Sequence, residues 1–97
     1  MKVQNMVNSK GNTIANQFII NDGYKAYFQS YDSLIVCIES TSDEDGELID
    51  IITLDRDTWD YSQTTSKYRN QFLGETKAQT QAKINSGEYQ LTDLNGG

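Results

Sequence analysis

Residues 59–75 read WDYSQTTSKYRNQFLGE, and within this stretch the pattern of the chain changes from strand to helix. Runs rich in β-forming residues come before it. Inside it, Tyr68 and Phe72 stand four residues apart, a spacing that places both on one helix face. Gly74 suits the left-handed conformation that ends many helices. The sequence therefore predicts strands first and helices afterwards, an order typical of α+β domains.

The half of the chain before this stretch predicts antiparallel strands. Asn21-Asp22-Gly23 stands between two β-rich runs and predicts a hairpin with a type I′ turn. A continuous apolar run, residues 34–38, predicts a central strand, which pairs through a loop at 40–46 with the next strand. The predicted strands are 13–20, 24–31, 34–38 and 48–54, with a short edge strand around Val3, Met6 and Val7.

The half that follows predicts a second helix and a return strand. Thr76 is a favourable N-cap for a helix over 77–86, which Gly87 ends. Ala78 and Ala82 share a face and predict shallow docking of this helix. Residues 88–94 read as the last strand. We expect one α+β domain over residues 1–97, with residues 1–12 and 95–97 frayed. It would have an antiparallel sheet of about four to five strands and one or two helices on one sheet face.

Composition excludes several classes of function. Histidine is absent, so a Ser-His-Asp or Cys-His catalytic site cannot form within the chain. The single Cys37 lies in an apolar run and predicts a buried thiol in a reduced, cytosolic compartment. No apolar run reaches the length of a membrane span. We therefore expect no enzyme activity, metal site, cofactor or membrane contact.

Negative charge is concentrated in one segment. The chain has a net charge of -6, yet residues 39–60 contain nine acidic side chains and one base, Arg56. The rest of the chain is slightly basic. Such asymmetry bears on partners and solubility rather than on fold.

The acidic loop around Asp43 to Glu47 allows three interpretations. A calcium loop of the EF-hand kind is disfavoured, because the acid and glycine spacing does not match. A solvated hairpin tip that discourages edge aggregation is the plainest interpretation. The functional one is a surface resembling a nucleic-acid backbone, whose carboxylates occupy a groove lined by Lys and Arg.

Aromatic and basic residues alternate after the acidic segment, a mixture that can stack on bases and hold phosphates. Tyr61 and Arg69 are the two residues expected to be exposed and to contact a partner. The alternative is structural, with Trp59, Tyr68 and Phe72 anchoring a helix to the sheet, and it is favoured. The basic patch would comprise Lys67, Arg69, Lys77 and Lys83.

Several segments together resemble a family of small proteins of unknown function encoded by bacteriophages and other mobile elements of bacteria. The similarity spans about residues 12–95, and the acidic insertion at Ser42 to Glu47 is longer than the family pattern. The segments are FQSYDS (28–33), WDYS (59–62), TT (64–65), KYRN (67–70), FLGE (72–75) and SGEYQLTDLN (86–95). The resemblance implies a role in binding host proteins, as inhibitors of CRISPR or restriction systems do, and assigns no role to any residue.

These observations lead to three hypotheses. The first is an interaction protein that occludes a basic, nucleic-acid-binding surface of a host protein in the bacterial cytoplasm. The second is a small nucleic-acid-binding module that uses residues 59–77, and the third is a structural or assembly protein of the virion. The oligomeric state is left open. The predicted partner-binding residues are Asp43, Glu44, Asp45, Glu47, Asp57, Trp59, Asp60, Tyr61 and Arg69.

Overall fold

A six-stranded sheet forms the body of the protein, and its strands lie side by side in the order in which they occur along the chain. The computed structural model describes residues 1–96. Two helices follow the fifth strand, which confirms the predicted α+β class. The elements are β1 (Lys2–Val7), β2 (Thr13–Asp22), β3 (Lys25–Ser30), β4 (Ser33–Ser42), β5 (Leu48–Asp55), α1 (Gln63–Leu73), α2 (Lys77–Ser86) and β6 (Gln90–Thr92).

The sheet differs from the prediction in the number and direction of its strands. It has six strands rather than four to five; the short edge strand predicted around Val3, Met6 and Val7 forms as Lys2–Val7 and pairs with β2, so these residues are not frayed as expected. The last strand, β6, is only three residues long and runs parallel to β5. A parallel neighbour needs a long crossover connection, and α1 and α2 together provide it.

The turn between β2 and β3 is a two-residue hairpin, as predicted, but of another type. Asp22 pairs with Lys25, and of the two turn residues only Gly23 has a positive φ, 66°. A type I′ turn needs positive φ at both central residues, whereas glycine in the first position is typical of type II′. Tyr24, the second turn residue, therefore does not take the positive φ that a type I′ turn would require there.

Helix α2 begins and ends where the sequence predicts, and α1 ends at the predicted Gly74. The sequence left the start of α1 open between Ser62 and Thr65, and the structure places it at Gln63. The Ser62 side chain accepts a hydrogen bond from the Thr65 amide at the start of α1, and Thr76 forms a capping box with Gln79 at the start of α2. Gly74 and Gly87 end the helices with φ of 71° and 85°. These signals are local, so they can be read from the sequence.

The core lies between the helices and one face of the sheet. Phe28, Val36 and Leu54 are buried in one row across three neighbouring strands. Phe28 stacks on Phe72 of α1 with 5.8 Å between ring centroids. Trp59 and Tyr68 pack against the same core, so the structural interpretation of these aromatics is confirmed. Cys37 is buried, as predicted.

Two further details of the prediction are wrong. Ala78 and Ala82 are exposed, and α2 instead buries Thr80 and half-buries Ile84. At the other end of the chain, the Asn95 side chain bonds both the amide and the carbonyl of Leu34, at 2.8 and 3.1 Å. The expected frayed end at 95–97 also includes Gly97, which lies outside the described residues.

Candidate partner-binding surface

The fold divides the acidic segment into two regions at opposite ends of β5. Four residues of β5 without an acidic side chain, 51–54, separate them, so Asp50 and Asp55 lie about 17 Å apart along the strand. One region is the β4–β5 hairpin from Glu39 to Asp50, and the other is the turn after Asp55. The nine acidic side chains therefore do not form one continuous surface.

The β4–β5 hairpin projects beyond the rest of the sheet. Its last contact with β3 is the pairing of Glu39 with Lys25, followed by the hydrogen bond from the Ser40 amide to the Tyr24 carbonyl. The predicted loop at 40–46 is wrong in its first three residues, because Ser40 to Ser42 continue β4 and pair with β5. The strands thus carry the turn outward as a paired ribbon.

The tip of this hairpin, residues 43–47, is an ordered turn. The Asp43 carboxylate accepts hydrogen bonds from the amides of Asp45 and Glu47, both at 2.9 Å. The Asp43 carbonyl accepts from the Gly46 amide, and Gly46 takes a φ of 81°. Asp43 thus has a structural role, while the side chains of Glu44, Asp45 and Glu47 are left exposed to solvent.

The hairpin is acidic throughout, with six carboxylates and no base between residues 39 and 50. Among residues 1–96, none of the six forms an ion pair. Asp50 is held across the hairpin by the Ser40 hydroxyl, with 3.0 Å between the oxygens. The hairpin beyond the Glu39–Lys25 pair therefore carries negative charge that no ion pair among residues 1–96 offsets. The six side chains are Glu39, Asp43, Glu44, Asp45, Glu47 and Asp50.

The acids at the far end of β5 are mostly structural. Asp55 is buried, and its carboxylate accepts hydrogen bonds from the amides of Asp57, Thr58 and Leu94 and from the Thr58 hydroxyl. Burial alone would raise the pKa of Asp55, but these hydrogen bonds hold it below its ordinary value. Asp57 is exposed and makes no side-chain contact of this kind within the described chain.

Arg69 is the clearest correction to the predicted site. Its side chain is 0% exposed, so the prediction that it contacts a partner is wrong. The guanidinium lies over the Trp59 ring, donates to the Trp59 carbonyl and to Asn70, and stands 3.7 Å from Asp60. Arginine suits such a position because its planar group stacks and bonds at once.

Asp60 is occupied within the protein as well. Its carboxylate is 2.8 Å from the Lys77 amine and 2.9 Å from the Ser66 hydroxyl. Burial is the largest single influence and raises the pKa of Asp60, but the bonds from Lys77 and Ser66 together with the nearby positive charges outweigh burial and lower the pKa overall. Trp59 is half-buried, so of the predicted residues in 59–69 only Tyr61, 50% exposed, is free as expected.

A family of unknown function, DUF8033, matches residues 1–88. The chain belongs to the DUF8033 family. The matched residues include β1 to β5 and both helices and end before β6. Among curated proteins and solved structures, none matches this DUF8033 protein significantly.

The predicted basic patch does not assemble in this DUF8033 protein. Arg69 is buried, Lys77 is bound to Asp60, and Lys83 is bound to Glu75 at 2.9 Å. Lys67 alone of the four extends from the surface without an acidic partner among residues 1–96, with its amine near the Tyr68 ring. This placement removes the specific support for nucleic-acid binding by residues 59–77.

A shallow cleft of about 370 Å³ lies where the two helices begin, between Tyr61, Ser62 and Lys77. Asp60 lies in its wall and already binds the nearby Lys77 and Ser66. In the part of the chain that the structure describes, no three acidic or Cys side chains are grouped to hold a metal ion. No helix there is long and apolar enough to cross a membrane.

Three exposed apolar residues of the hairpin were missed by the sequence analysis. Leu48 is 84% exposed, Ile49 41% and Ile51 44%. A signal was present, because apolar residues occupy both parities of residues 48–54. Because the helices cover only one sheet face, Ile49 and Ile51 face solvent on the other. Leu48 shares the parity of buried Leu54 and is exposed because it lies where the hairpin projects.

Proposed function

We propose that this DUF8033 protein is a small acidic interaction protein that occludes a basic, nucleic-acid-binding surface on a host protein in the bacterial cytoplasm. Its action resembles that of inhibitors of CRISPR or restriction enzymes, by binding and not by catalysis. The single observation that carries the proposal is the projecting β4–β5 hairpin. It holds six carboxylates, no base, and an ordered tip.

Electrostatics support this mode of action. A groove lined with Lys and Arg binds phosphates largely through charge, and its affinity falls as salt rises. Carboxylates held on a rigid hairpin can take the place of those phosphates, because the tip loses little conformational freedom on binding. The acids of the turn after Asp55 contribute less, since Asp55 and Asp60 are already bound within the protein.

The test is capture of partners from a nuclease-treated bacterial lysate by two matched variants, each measured at low and high salt. The triple variant E44Q/D45N/E47Q changes the tip and keeps Asp43, which orders the turn. The triple variant D22N/D32N/E88Q changes exposed acids outside the predicted partner-binding residues. Each removes three negative charges, so the net charge changes equally, from -6 to -3.

The expected result is a captured nucleic-acid-binding protein that is released at high salt and by added DNA or RNA. The tip variant loses this capture and the second variant keeps it. Equal capture by both variants would contradict the role of the tip. Capture that disappears on nuclease treatment would favour the nucleic-acid-binding module, and large oligomers of the isolated protein would favour the virion role.

A further inference from the structure

The outer edge of β5 is unpaired over most of its length. On that side β6 pairs only with Thr53, Leu54 and Asp55. No strand among residues 1–96 pairs with the outer edge of Leu48 to Ile52. Alternate backbone amides and carbonyls along this edge therefore point to solvent, ready to bond another strand.

This edge lacks two of the devices that commonly protect exposed strands. It carries no Lys, and its pairing with β4 runs without a bulge. The other open edge, β1, has a bulge between Asn5 and Val7, begins with Lys2, and has its Val7 carbonyl occupied by the Gln71 side chain at 2.9 Å. Bulges and lysines are the usual protection against added strands, so β5 is the more receptive edge.

The negative charge around the β5 edge favours a basic strand as the added strand. The six carboxylates between Glu39 and Asp50 have no base among them, so a strand that contains Lys or Arg is attracted. A second copy of this chain would bring two such hairpins together, and like charges would oppose that pairing. Along β5, Asp50 points to one face, between Leu48 and Ile52, while Ile49 and Ile51 point to the other.

We infer that Leu48–Ile52 binds an extended, basic segment of the partner protein as an added β-strand. The inference rests on the proposed function and names how the partner is held. Basic side chains of the added strand lie on the Asp50 face, and aliphatic side chains lie against Ile49 and Ile51. Backbone hydrogen bonds then supply affinity, and the alternation supplies specificity.

The test uses the full-length protein and two synthetic peptides as probes. The first peptide alternates lysine and valine. The second has the same sequence with every peptide nitrogen methylated, so it keeps its charge but cannot donate backbone hydrogen bonds. Binding is measured by calorimetry, and amide hydrogen exchange by NMR reports which strand is covered.

The first peptide should slow exchange within Leu48–Ile52 and leave β1 unchanged, and the methylated peptide should bind about tenfold more weakly. Equal binding of both peptides, with changes confined to residues 43–47, would overturn strand addition while leaving charge-based binding in place. Absence of binding by either peptide would overturn it too. So would slowed exchange at Leu48–Ile52 that grows with protein concentration alone, because a second copy would then be the occupant.

The same experiment tests the proposed function separately from strand addition. If E44Q/D45N/E47Q binds the first peptide as tightly as the wild-type protein, the tip charges do not select the partner. The exchange pattern would still report whether a strand adds to β5.

Discussion

Asp43 and Asp55 make the same kind of contact near opposite ends of β5, yet they serve different purposes. Each carboxylate accepts backbone amides of the turn that follows it. Asp43 bonds only residues within its own turn. Asp55 is buried and also reaches the Leu94 amide, 39 positions away, so it joins the sheet to the end of the chain.

The difference shows how one residue type acquires two roles within one acidic segment. At the Asp55 end, the carboxylate of Asp55 accepts hydrogen bonds within the protein, and that of Asp60 forms an ion pair with Lys77. At the tip, Asp43 alone is used for folding and its neighbours remain free. Most of the charge that is available to a partner therefore lies at the tip, and Asp57 is the exception at the other end.

The largest expected effect is on Asp55. Replacing it by alanine leaves the amides of Asp57, Thr58 and Leu94 without their acceptor in a buried site. We expect the free energy of unfolding to fall by about 3–5 kcal/mol, measured by urea denaturation. Asp43→Ala, the matched change at the exposed tip, should cost about 1 kcal/mol. Equal losses in the two variants would remove the distinction between the two ends.

The next largest effect is expected at Arg69, a buried base of α1, and it is compared with that at Lys67, an exposed base of the same helix. Arg69→Ala should lower the free energy of unfolding by about 3 kcal/mol, because it removes a buried side chain that bonds the Trp59 carbonyl and neighbours Asp60. Lys67→Ala, on the same helix but exposed, should change it by less than about 0.5 kcal/mol. A larger loss for Lys67→Ala than for Arg69→Ala would contradict the assignment.

The smallest and most gradual effect is on acid stability. Hydrogen bonds and ion pairs outweigh burial and lower the pKa of Asp55, Asp60 and Glu75 in the folded protein. Their stabilisation is therefore complete above the ordinary carboxyl pKa and is lost as pH falls below about 4. Urea denaturation from pH 6 to pH 3 should show this fall. Asp55→Asn should be less stable at pH 6 and lose less on acidification; a slope equal to that of the wild-type protein would place the acid sensitivity elsewhere.

Much of the fold follows from signals within a few residues of each other. Ser62 and Thr76 cap the helices, Gly74 and Gly87 end them, and Asp22-Gly23 marks the β2–β3 hairpin. Such signals act through hydrogen bonds and backbone preferences inside one turn, so the sequence alone determines them. The projecting acidic tip belongs to this class, because it is the loop of a hairpin whose two strands are evident.

Only the tertiary structure decided which side chains remain available. Arg69 looks like a surface base, but it is buried because the Trp59 ring and carbonyl meet it from another part of the chain. Lys77 and Lys83 form ion pairs with Asp60 and Glu75, which the sequence pattern also did not reveal. The two helices connect β5 to β6. Their placement therefore sets the direction of β6 and the length of β5 that stays unpaired. Burial and pairing between distant segments depend on packing of the whole domain, which no local pattern encodes.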